Sequence, residues 1–392
     1  MSKFNEVIEN IKAEEASIEK LFGGDGVGVR SIKKKAEYHK QLIEATKVME
    51  KVYSGSRRGM TMFLEAMTTS DFPLLFGDIL DRQLLANYME TPSVFRNYTK
   101  ISQVSDFRTV KRFAVSGGED VLSVVNEQQE YPEASLGEAV YSYAVKKYGR
   151  RMPFSWESMV NDDLNALKDV PARFGKAARR SEQKFATSLY VGTAGPDATL
   201  YSVGNANIVT SNPVLSIAAL QTAFSVLAAQ TDSDGEPIAI DMMHLVVPPA
   251  LEVTASNILN AIQVRLTTNG GIDTTDASAK QELVAANWMR NRVQLSVDYY
   301  IPNVADTNGS TSWFLFADPN NGRPALEMGF LAGHLTPEIF IKSPNAQRVG
   351  GGEADAMGGD FDTDSIQYKV RHVYGGTQMD PKMTVASNGT GS

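Results

Sequence analysis

The chain has 392 residues, a formal net charge of −8, 42% hydrophobic residues and no cysteine. This length is enough to bury one or two sizeable cores, and the lack of cysteine excludes disulfides, Fe–S clusters and thiolate zinc sites. No apolar run approaches the ~20 residues of a bilayer span, and the charged N-terminus lacks the apolar stretch of a signal peptide, which predicts a protein folded in a cytoplasm.

Charge is distributed unevenly along the sequence. Residues 1–60 hold 12 Lys/Arg and 9 Asp/Glu, whereas the remaining 332 residues hold 26 and 37. Non-specific binding to nucleic acid depends on neutralising phosphates. The acidic body therefore predicts only weak contact with DNA.

The N-terminal third begins with helical patterns. Residues 1–60 contain two narrow apolar stripes at helical spacing, separated by the glycine-rich run 23–29, and indicate an arm that packs on another surface. A more fully apolar helix follows, with Ser70 or Asp71 as its N-cap and Pro73 in its first turn.

Two long extended stretches come next. Residues 106–115 and 139–155 alternate with a period of two, which predicts the strands of one long hairpin. Both faces are too polar for a core of their own, and a two-stranded ribbon is only marginally stable in isolation. We therefore expect another surface to cover the hairpin.

The second stretch contains the basic, tyrosine-flanked sequence 146–151. Three interpretations are open: a grip on nucleic acid through phosphate contacts and base stacking, a solvated basic face, or a seam against an acidic surface of a neighbouring copy. The hairpin's lack of a core favours the third.

Behind the hairpin, the sequence predicts a long helix, a mixed domain and a returning strand. Asp169 is the expected N-cap and Pro171 lies in the expected first turn of a helix of roughly 33 Å. Residues 213–344 alternate short apolar strands with helices, one of them capped by Ser216, and indicate a compact mixed α/β domain. A strand with period two starts near Ile366, after a glycine-rich link.

Motifs that carry chemistry are absent from the sequence. Its four histidines lack metal-ligand spacing: His39, His244, His334 and His372. The apolar strand around His244 indicates a core histidine, and the acidic turns 232–236 and 360–364 lack the residues that a calcium loop needs at its sixth and twelfth positions. No phosphate-binding loop, dinucleotide fingerprint or nucleophile elbow occurs. We therefore expect no catalytic residue, cofactor site or metal site.

The order of these elements resembles the major capsid proteins of tailed double-stranded DNA bacteriophages with the HK97 fold. The passage "HLVVPPALEVTASNIL" is similar to the strand–proline–helix passage of their A-domains, and "YKVRHVYGGTQMDPK" to their last P-domain strand. The resemblance implies an α+β fold with an N-terminal arm, an extended β-hairpin called the E-loop, a P-domain with a long spine helix, and a mixed α/β A-domain. The implied boundaries are 1–60 for the N-terminal helical arm, 61–105 for the start of the P-domain, 106–153 for the E-loop, 154–212 for the P-domain with its spine helix, 213–344 for the A-domain, and 345–392 for the return strand of the P-domain and the C-terminal tail.

The same resemblance implies a function. Such a chain forms hexamers and pentamers in the icosahedral shell that encloses phage double-stranded DNA; it assembles in the host bacterial cytoplasm, needs no membrane or cofactor, and is not an enzyme. Scaffold, portal and decoration proteins are further candidate partners. The candidate subunit-interface residues are the basic and tyrosine side chains of the E-loop: Arg108, Lys111, Arg112, Tyr143, Lys146, Lys147, Arg150 and Arg151.

Two details of such capsids are open in this sequence. Residues 1–60 have the charged, helical character of a scaffolding segment, and no asparagine can be assigned as a crosslinking partner for an E-loop lysine. Two alternative functions also stay open: an encapsulin-like cargo shell, and, in another class, a cytoplasmic α/β enzyme whose site uses scattered carboxylates.

Overall fold

The structure is a computed structural model that describes residues 40–51, 72–116, 137–155, 164–232, 235–269, 280–320, 323–342 and 362–391. The helices are α1 (40–51), α2 (Phe72–Glu90), α3 (Leu164–Thr187), α4 (Ile217–Ala228), α5 (Glu252–Asn260) and α6 (Ile301–Val304). The strands in the first half of the chain are β1 (Lys100–Val104), β2 (Val110–Ser116), β3 (Gly137–Tyr143), β4 (Lys146–Ser155), β5 (Val191–Gly192) and β6 (Gly195–Pro196). Those in the second half are β7 (Met243–Val247), β8 (Gln263–Asn269), β9 (Lys280–Ala286), β10 (Val293–Val297), β11 (Trp313–Ala317), β12 (Leu326–Leu331), β13 (Glu338–Ile341), β14 (Ser365–Gln378) and β15 (Thr384–Ser387).

The chain folds as two units. The first comprises Met1–Pro92, Lys147–Arg180 and Gly333–Val373, and the second comprises Ser93–Lys146, Ser181–Ala332 and Tyr374–Ser392. The mixture of helices with mainly antiparallel strands confirms the α+β class that the sequence predicts. None of the described helices has the length and apolar character that a bilayer span requires.

The first unit is a sheet covered on one side by helices. The N-terminal part of β14 pairs with β13 in antiparallel register and also pairs with β4. Alternate β14 residues enter the core, as the period-two pattern predicts. The buried side chains of this core are Leu42, Ala45, Met49, Ile79, Leu80, Leu84, Val170, Phe174, Ile366, Tyr368 and Val370.

Helix α1 is part of that core. Leu42, Ala45 and Met49 lie on its buried stripe and are at most 3% exposed. The apolar stripe expected to pack on another surface therefore packs on the core of its own unit. The first of the two predicted N-terminal helices lies outside the described residues, as do the expected caps Ser70 and Asp71.

The second unit is built on a four-stranded sheet with the order β10-β7-β11-β15. Strands β7 and β10 are parallel, and β11 is antiparallel to both β7 and β15. Helices α4 and α5 contribute side chains to the core on one face of this sheet. The Ser216 Oγ accepts a hydrogen bond from the Ala219 N–H at 3.1 Å, which confirms the predicted N-cap. His244 is 6% exposed in β7, as expected of a core histidine.

A second sheet segment of this unit supports the β2–β3 hairpin. Strand β1 runs parallel to β12, and β12 is antiparallel to the part of β14 from Tyr374 to Gln378. Strands β2 and β3 pair with each other from Val110–Tyr143 to Ser116–Gly137. A further hairpin is formed by β8 and β9.

The structure divides the long second stretch of the predicted hairpin. Residues 137–143 pair with β2, whereas β4 pairs with β14, so one predicted strand becomes two with different partners. Side chains of β4 explain the division, because Met152 and Phe154 pack against the core of the first unit. Gly149 permits the close approach, since a Cβ there would lie 2.6 Å from the Val370 carbonyl oxygen.

Two further boundaries differ from the sequence prediction. Helix α3 begins at Leu164, so Pro171 lies inside it rather than in its first turn. The residues after β14, expected as a tail, form β15 at the edge of the four-stranded sheet. Burial explains the second difference, because Val385 joins the apolar core beneath α4 and α5.

Candidate assembly surface

The base of the β2–β3 hairpin is held to its own unit by one buried carboxylate. Glu327 on β12 is 1% exposed, and its Oε1 accepts three hydrogen bonds. The donors are the Ser102 hydroxyl at 2.6 Å, the Tyr143 hydroxyl at 2.7 Å and the Arg112 Nε at 2.8 Å. We call these four residues the Glu327 cluster. It connects β1, β2, β3 and β12 through side chains that are far apart in sequence.

The electrostatics of the cluster favour an ionised Glu327. Burial alone would raise the pKa of this carboxyl, but hydrogen bonds from Ser102, Tyr143 and Arg112 outweigh burial and lower the pKa below its ordinary value. Burial raises the pKa of Tyr143, which therefore stays a neutral donor. The packing is also close, since a Cβ on Gly329 would overlap the Tyr143 hydroxyl. The hairpin base is thus fixed by charge, hydrogen bonding and shape.

The opposite face of the hairpin is exposed. Phe113 and Val140 are directly opposed across the two strands and are 61% and 50% exposed, with Lys111 and Ser142 beside them. We call these four residues the outer face. A phenylalanine and a valine paired on an open two-stranded ribbon form an apolar patch that another surface can cover.

The predicted interface residues fall into two groups. Arg112 and Tyr143 belong to the Glu327 cluster, so their described contacts are within their own chain. The others are exposed: Arg108, Lys111, Lys146, Lys147, Arg150 and Arg151. Arg108 makes only a loose pair with Asp106, at 3.9 Å. The interface role of all eight residues remains a prediction.

In the first unit, β4 pairs with β14, which also carries basic residues. Arg151 lies next to β14, where its Nη1 contacts the Gln367 Oε1 at 3.5 Å. On the same face of β14, Lys369 Nζ and Arg371 Cζ lie 4.9 and 4.5 Å from the centre of the Phe340 ring. Lys147 is separated from Arg151 by an even number of positions on β4, so the two side chains lie on the same face of the strand. We call Lys147, Arg151, Lys369 and Arg371, with Phe340 among them, the basic face.

One carboxylate moderates this face in the described part of the chain. Glu338 pairs with Arg371 at 2.6 Å and with the His334 Nδ1. Burial would raise the pKa of Glu338, but the hydrogen bonds from Arg371 and His334 lower it. Four cations against one acidic side chain leave the face positive. The alternation of Lys369 and Arg371 is visible in the sequence, but their position beside Arg151 is not.

Sequence reasoning also missed a buried polar network centred on Asp298, which is fully buried. Its Oδ2 accepts hydrogen bonds from Thr187, Tyr190 and Gln183 at 2.6, 2.7 and 2.9 Å, and from Tyr98 at 3.2 Å. Burial raises the pKa of both tyrosines well above the ordinary value, so they act as neutral donors. The network fixes the end of α3 to the strand β10 region. No group of three or more metal-ligating side chains occurs among the described residues.

These observations describe an α+β protein with an exposed apolar pair on its β2–β3 hairpin and a basic face on its first unit. Residues 138–387 match the sequence model of a family described as phage capsid protein. The match spans more than half of the chain, which therefore belongs to the phage capsid protein family. It is a structural protein of the bacteriophage head, and the resemblance to phage major capsid proteins is confirmed.

Comparison with solved structures gives neighbours of low sequence identity, three of which are described here. A chain of Gordonia phage Cozz is 13% identical, with 75% of this chain and 85% of that chain covered and a TM-score of 0.43. A chain from the capsid structure of cyanophage P-SCSP1u is 12% identical, with 75% and 87% covered and a TM-score of 0.44. A virus-like particle chain from Pyrococcus furiosus is 10% identical, with 80% and 99% covered and a TM-score of 0.42. A comparison with curated proteins finds no match.

Proposed function

We propose that this capsid protein is the subunit that self-assembles, as hexamers and pentamers, into the icosahedral shell around phage double-stranded DNA. The shell lies in the virion and is assembled in the host cytoplasm. Membership of the phage capsid protein family supports this function. The structural observation that carries it is the outer face, an exposed apolar pair on a hairpin whose base is fixed.

The hairpin needs a partner because its two faces are unequal. One face contributes Arg112 and Tyr143 to the Glu327 cluster, while the other leaves Phe113 and Val140 exposed. Full burial of one such side chain stabilises a contact by roughly 1.5–3 kcal/mol. A neighbouring copy that covers the outer face would remove this apolar surface from water. Repetition of the same contact around a closed ring then gives avidity.

The domain assignments made from sequence are part of this proposal. We assign 106–153 to the E-loop, 154–212 to the P-domain with its spine helix, and 213–344 to the A-domain. The exposed basic residues around the hairpin would form intersubunit ion pairs of roughly 0–1 kcal/mol each. The acidic body would keep contact with the enclosed DNA weak. Scaffold, portal and decoration proteins are further proposed partners.

Sedimentation velocity with negative-stain microscopy tests the proposal. Wild-type protein should give capsomers or closed shells. The double substitution Phe113→Asp and Val140→Asp should abolish them, because two charges would then be buried at the contact. The matched control, Phe113→Leu with Val140→Leu, retains apolar character and should still assemble. Wild-type protein that stays monomeric at high concentration across a range of salt concentrations would contradict self-assembly.

A further inference from the structure

Helix α3 carries a row of cations on its exposed side. Lys176, Arg180 and Lys184 recur at intervals of four residues, and all three are exposed. Side chains at this spacing lie one above another on a single face of a helix. At a rise of 1.5 Å per residue, the row is about 12 Å long. We call these three residues the α3 stripe.

The other side of the same helix is buried, which fixes the direction of the stripe. Phe174, Ala178 and Ala186 are at most 7% exposed. Arg179 is also buried, and its guanidinium carbon lies 4.0 Å from the centre of the Tyr88 ring. The fold therefore uses Arg179 in its interior and leaves the cations of the stripe in contact with solvent.

The stripe has no acidic neighbour on its own face of the helix. The positions three and four residues before and after each of its members hold no Asp or Glu. Among the α3 side chains that the structure describes, Glu182 is the one acid, and it is fully buried. The charge of the stripe is therefore not balanced within its helix, although the whole chain has a formal charge of −8.

Helix stability does not account for this pattern. Like charges four residues apart destabilise a helix. A cation in the last turn is favourable, which accounts for Lys184, but Lys176 and Arg180 lie too early in α3 for this effect. The exposed side of α1 is different, because Lys40 and Glu44 alternate there in sign. The α3 stripe therefore indicates an anion outside the subunit.

The surroundings of the stripe favour a phosphate backbone over a protein or a membrane. None of the large apolar side chains exposed in the described part of the chain lies on α3. A protein interface has an apolar core, and a helix on a membrane surface needs an apolar face. The small residues Ala177 and Ser181 lie beside the cations and leave room for a wide rod. Each DNA strand carries a phosphate every 3.4 Å of axis, so a row of about 12 Å can contact about three phosphates.

We propose that the α3 stripe contacts the phosphate backbone of the enclosed DNA duplex, so that this face of α3 lines the interior of the shell. This inference rests on the proposed function and assigns the weak DNA contact of an acidic chain to one surface. Phosphate contacts carry no sequence information. With about three of them, the logarithm of the binding constant should fall against the logarithm of salt concentration with a slope of about −3.

Fluorescence anisotropy of a short labelled duplex, mixed with unassembled full-length chain, tests the contact. Lys176→Gln with Arg180→Gln removes two charges and retains good helix-forming residues. The salt slope should become shallower by about two, and Kd at low salt should rise by about tenfold or more. The matched control, Lys100→Gln with Arg290→Gln, removes one exposed Lys and one exposed Arg outside α3 and should bind the duplex like the wild type.

A footprint on the wild-type chain tests the same contact without any substitution. Lysines are acetylated with a small reagent, and the rate at each position is read by peptide mass spectrometry. Addition of the duplex should slow acetylation at Lys176 and Lys184 and leave Lys100 and Lys147 unchanged. Equal rates at Lys176 with and without the duplex would contradict the contact.

Closed shells test the direction in which the stripe faces. A duplex added to shells that have been separated from unassembled subunits should bind at least about tenfold more weakly than it binds the subunits, because the stripe is turned inward. Shells that bind the duplex as tightly as subunits do, with protection of Lys176, would place the stripe on the outside and overturn the inference.

Three further results would overturn the inference and leave the proposed function intact. In the first, the stripe variant keeps the wild-type salt slope, or the control variant loses as much affinity. In the second, only Lys147→Gln with Lys369→Gln, on the basic face, weakens duplex binding. In the third, an oligoglutamate peptide displaces the duplex at equal charge concentration, which would make the stripe a surface for an acidic protein. Wild-type protein that forms neither capsomers nor shells overturns the proposed function, and sedimentation velocity detects this without any duplex.

Discussion

Glu327 determines how the hairpin leaves the body of its unit. Its carboxylate is buried, yet hydrogen bonds from Ser102, Arg112 and Tyr143 hold it ionised. A charged acceptor with three donors has a strong directional preference. Replacement by a neutral group would weaken all three bonds at once, whereas loss of Ser102 would remove only one.

The substitution Glu327→Gln should reduce the free energy of unfolding by about 1–3 kcal/mol at neutral pH, since hydrogen bonds to a charged group are lost. The pKa of Glu327 is lowered by folding, so its stabilising effect is present above the unfolded pKa of about 4.5 and is lost as the pH falls through the folded value. Denaturant unfolding at several pH values should therefore show the wild type and the variant converging below about pH 4.5. A constant difference down to lower pH would contradict an ionised Glu327.

A second residue-scale prediction concerns Asp298. In Asp298→Asn, an amide NH2 group would replace one carboxylate oxygen. The site would then have one acceptor fewer for the donors Tyr98, Thr187 and Tyr190. Buried donors left without an acceptor cost about 1–3 kcal/mol each, so denaturant unfolding should show a loss on the order of 3 kcal/mol. Asp306→Asn, at an exposed position, is the control and should change stability by less than about 0.5 kcal/mol.

At the scale of elements, α1 behaves as a core helix although its sequence is charged. Its narrow apolar stripe enters the core of the first unit through Leu42, Ala45 and Met49. An arm that is removable as a scaffolding segment would have to end before this helix, since losing it would open the core. The sequence shows the stripe but not the surface that the stripe meets.

Leu42→Ala should lower the free energy of unfolding by about 2–5 kcal/mol, because Leu42 is fully buried and its truncation leaves a cavity. Lys47→Ala, on the exposed side of the same helix, provides the comparison and should be nearly neutral. Equal stabilities of the two variants in chemical denaturation would show that α1 is not part of the core.

Local signals in the sequence account for much of the fold. A few consecutive residues are enough to predict the cap at Ser216, the buried strand β7 and the alternation of β14. The break between β3 and β4 cannot be predicted in this way, because it depends on the distant partner β14 and on the space that Gly149 leaves. The Glu327 cluster escaped prediction for the same reason: Arg112 and Glu327 are 215 positions apart.

At the scale of the whole molecule, the proposed assembly would depend on exposed surfaces of the subunit. In the proposed assembly, the outer face would contribute apolar area and therefore affinity, and the basic face would contribute charge and therefore register. A shell built from many such contacts tolerates weak individual pairs. Substitutions at either surface should therefore affect assembly far more than the stability of the isolated subunit.

The Glu327 cluster joins segments that are synthesised at different times. The hairpin strands emerge from the ribosome long before β12, which supplies the carboxylate that orients them. Pairings between segments so distant along the chain form late and slowly. A subunit that has not finished folding consequently has no fixed direction in which to present its hairpin. We therefore expect the hairpin to take its fixed direction only after β12 has folded, which would place completion of the individual fold before assembly.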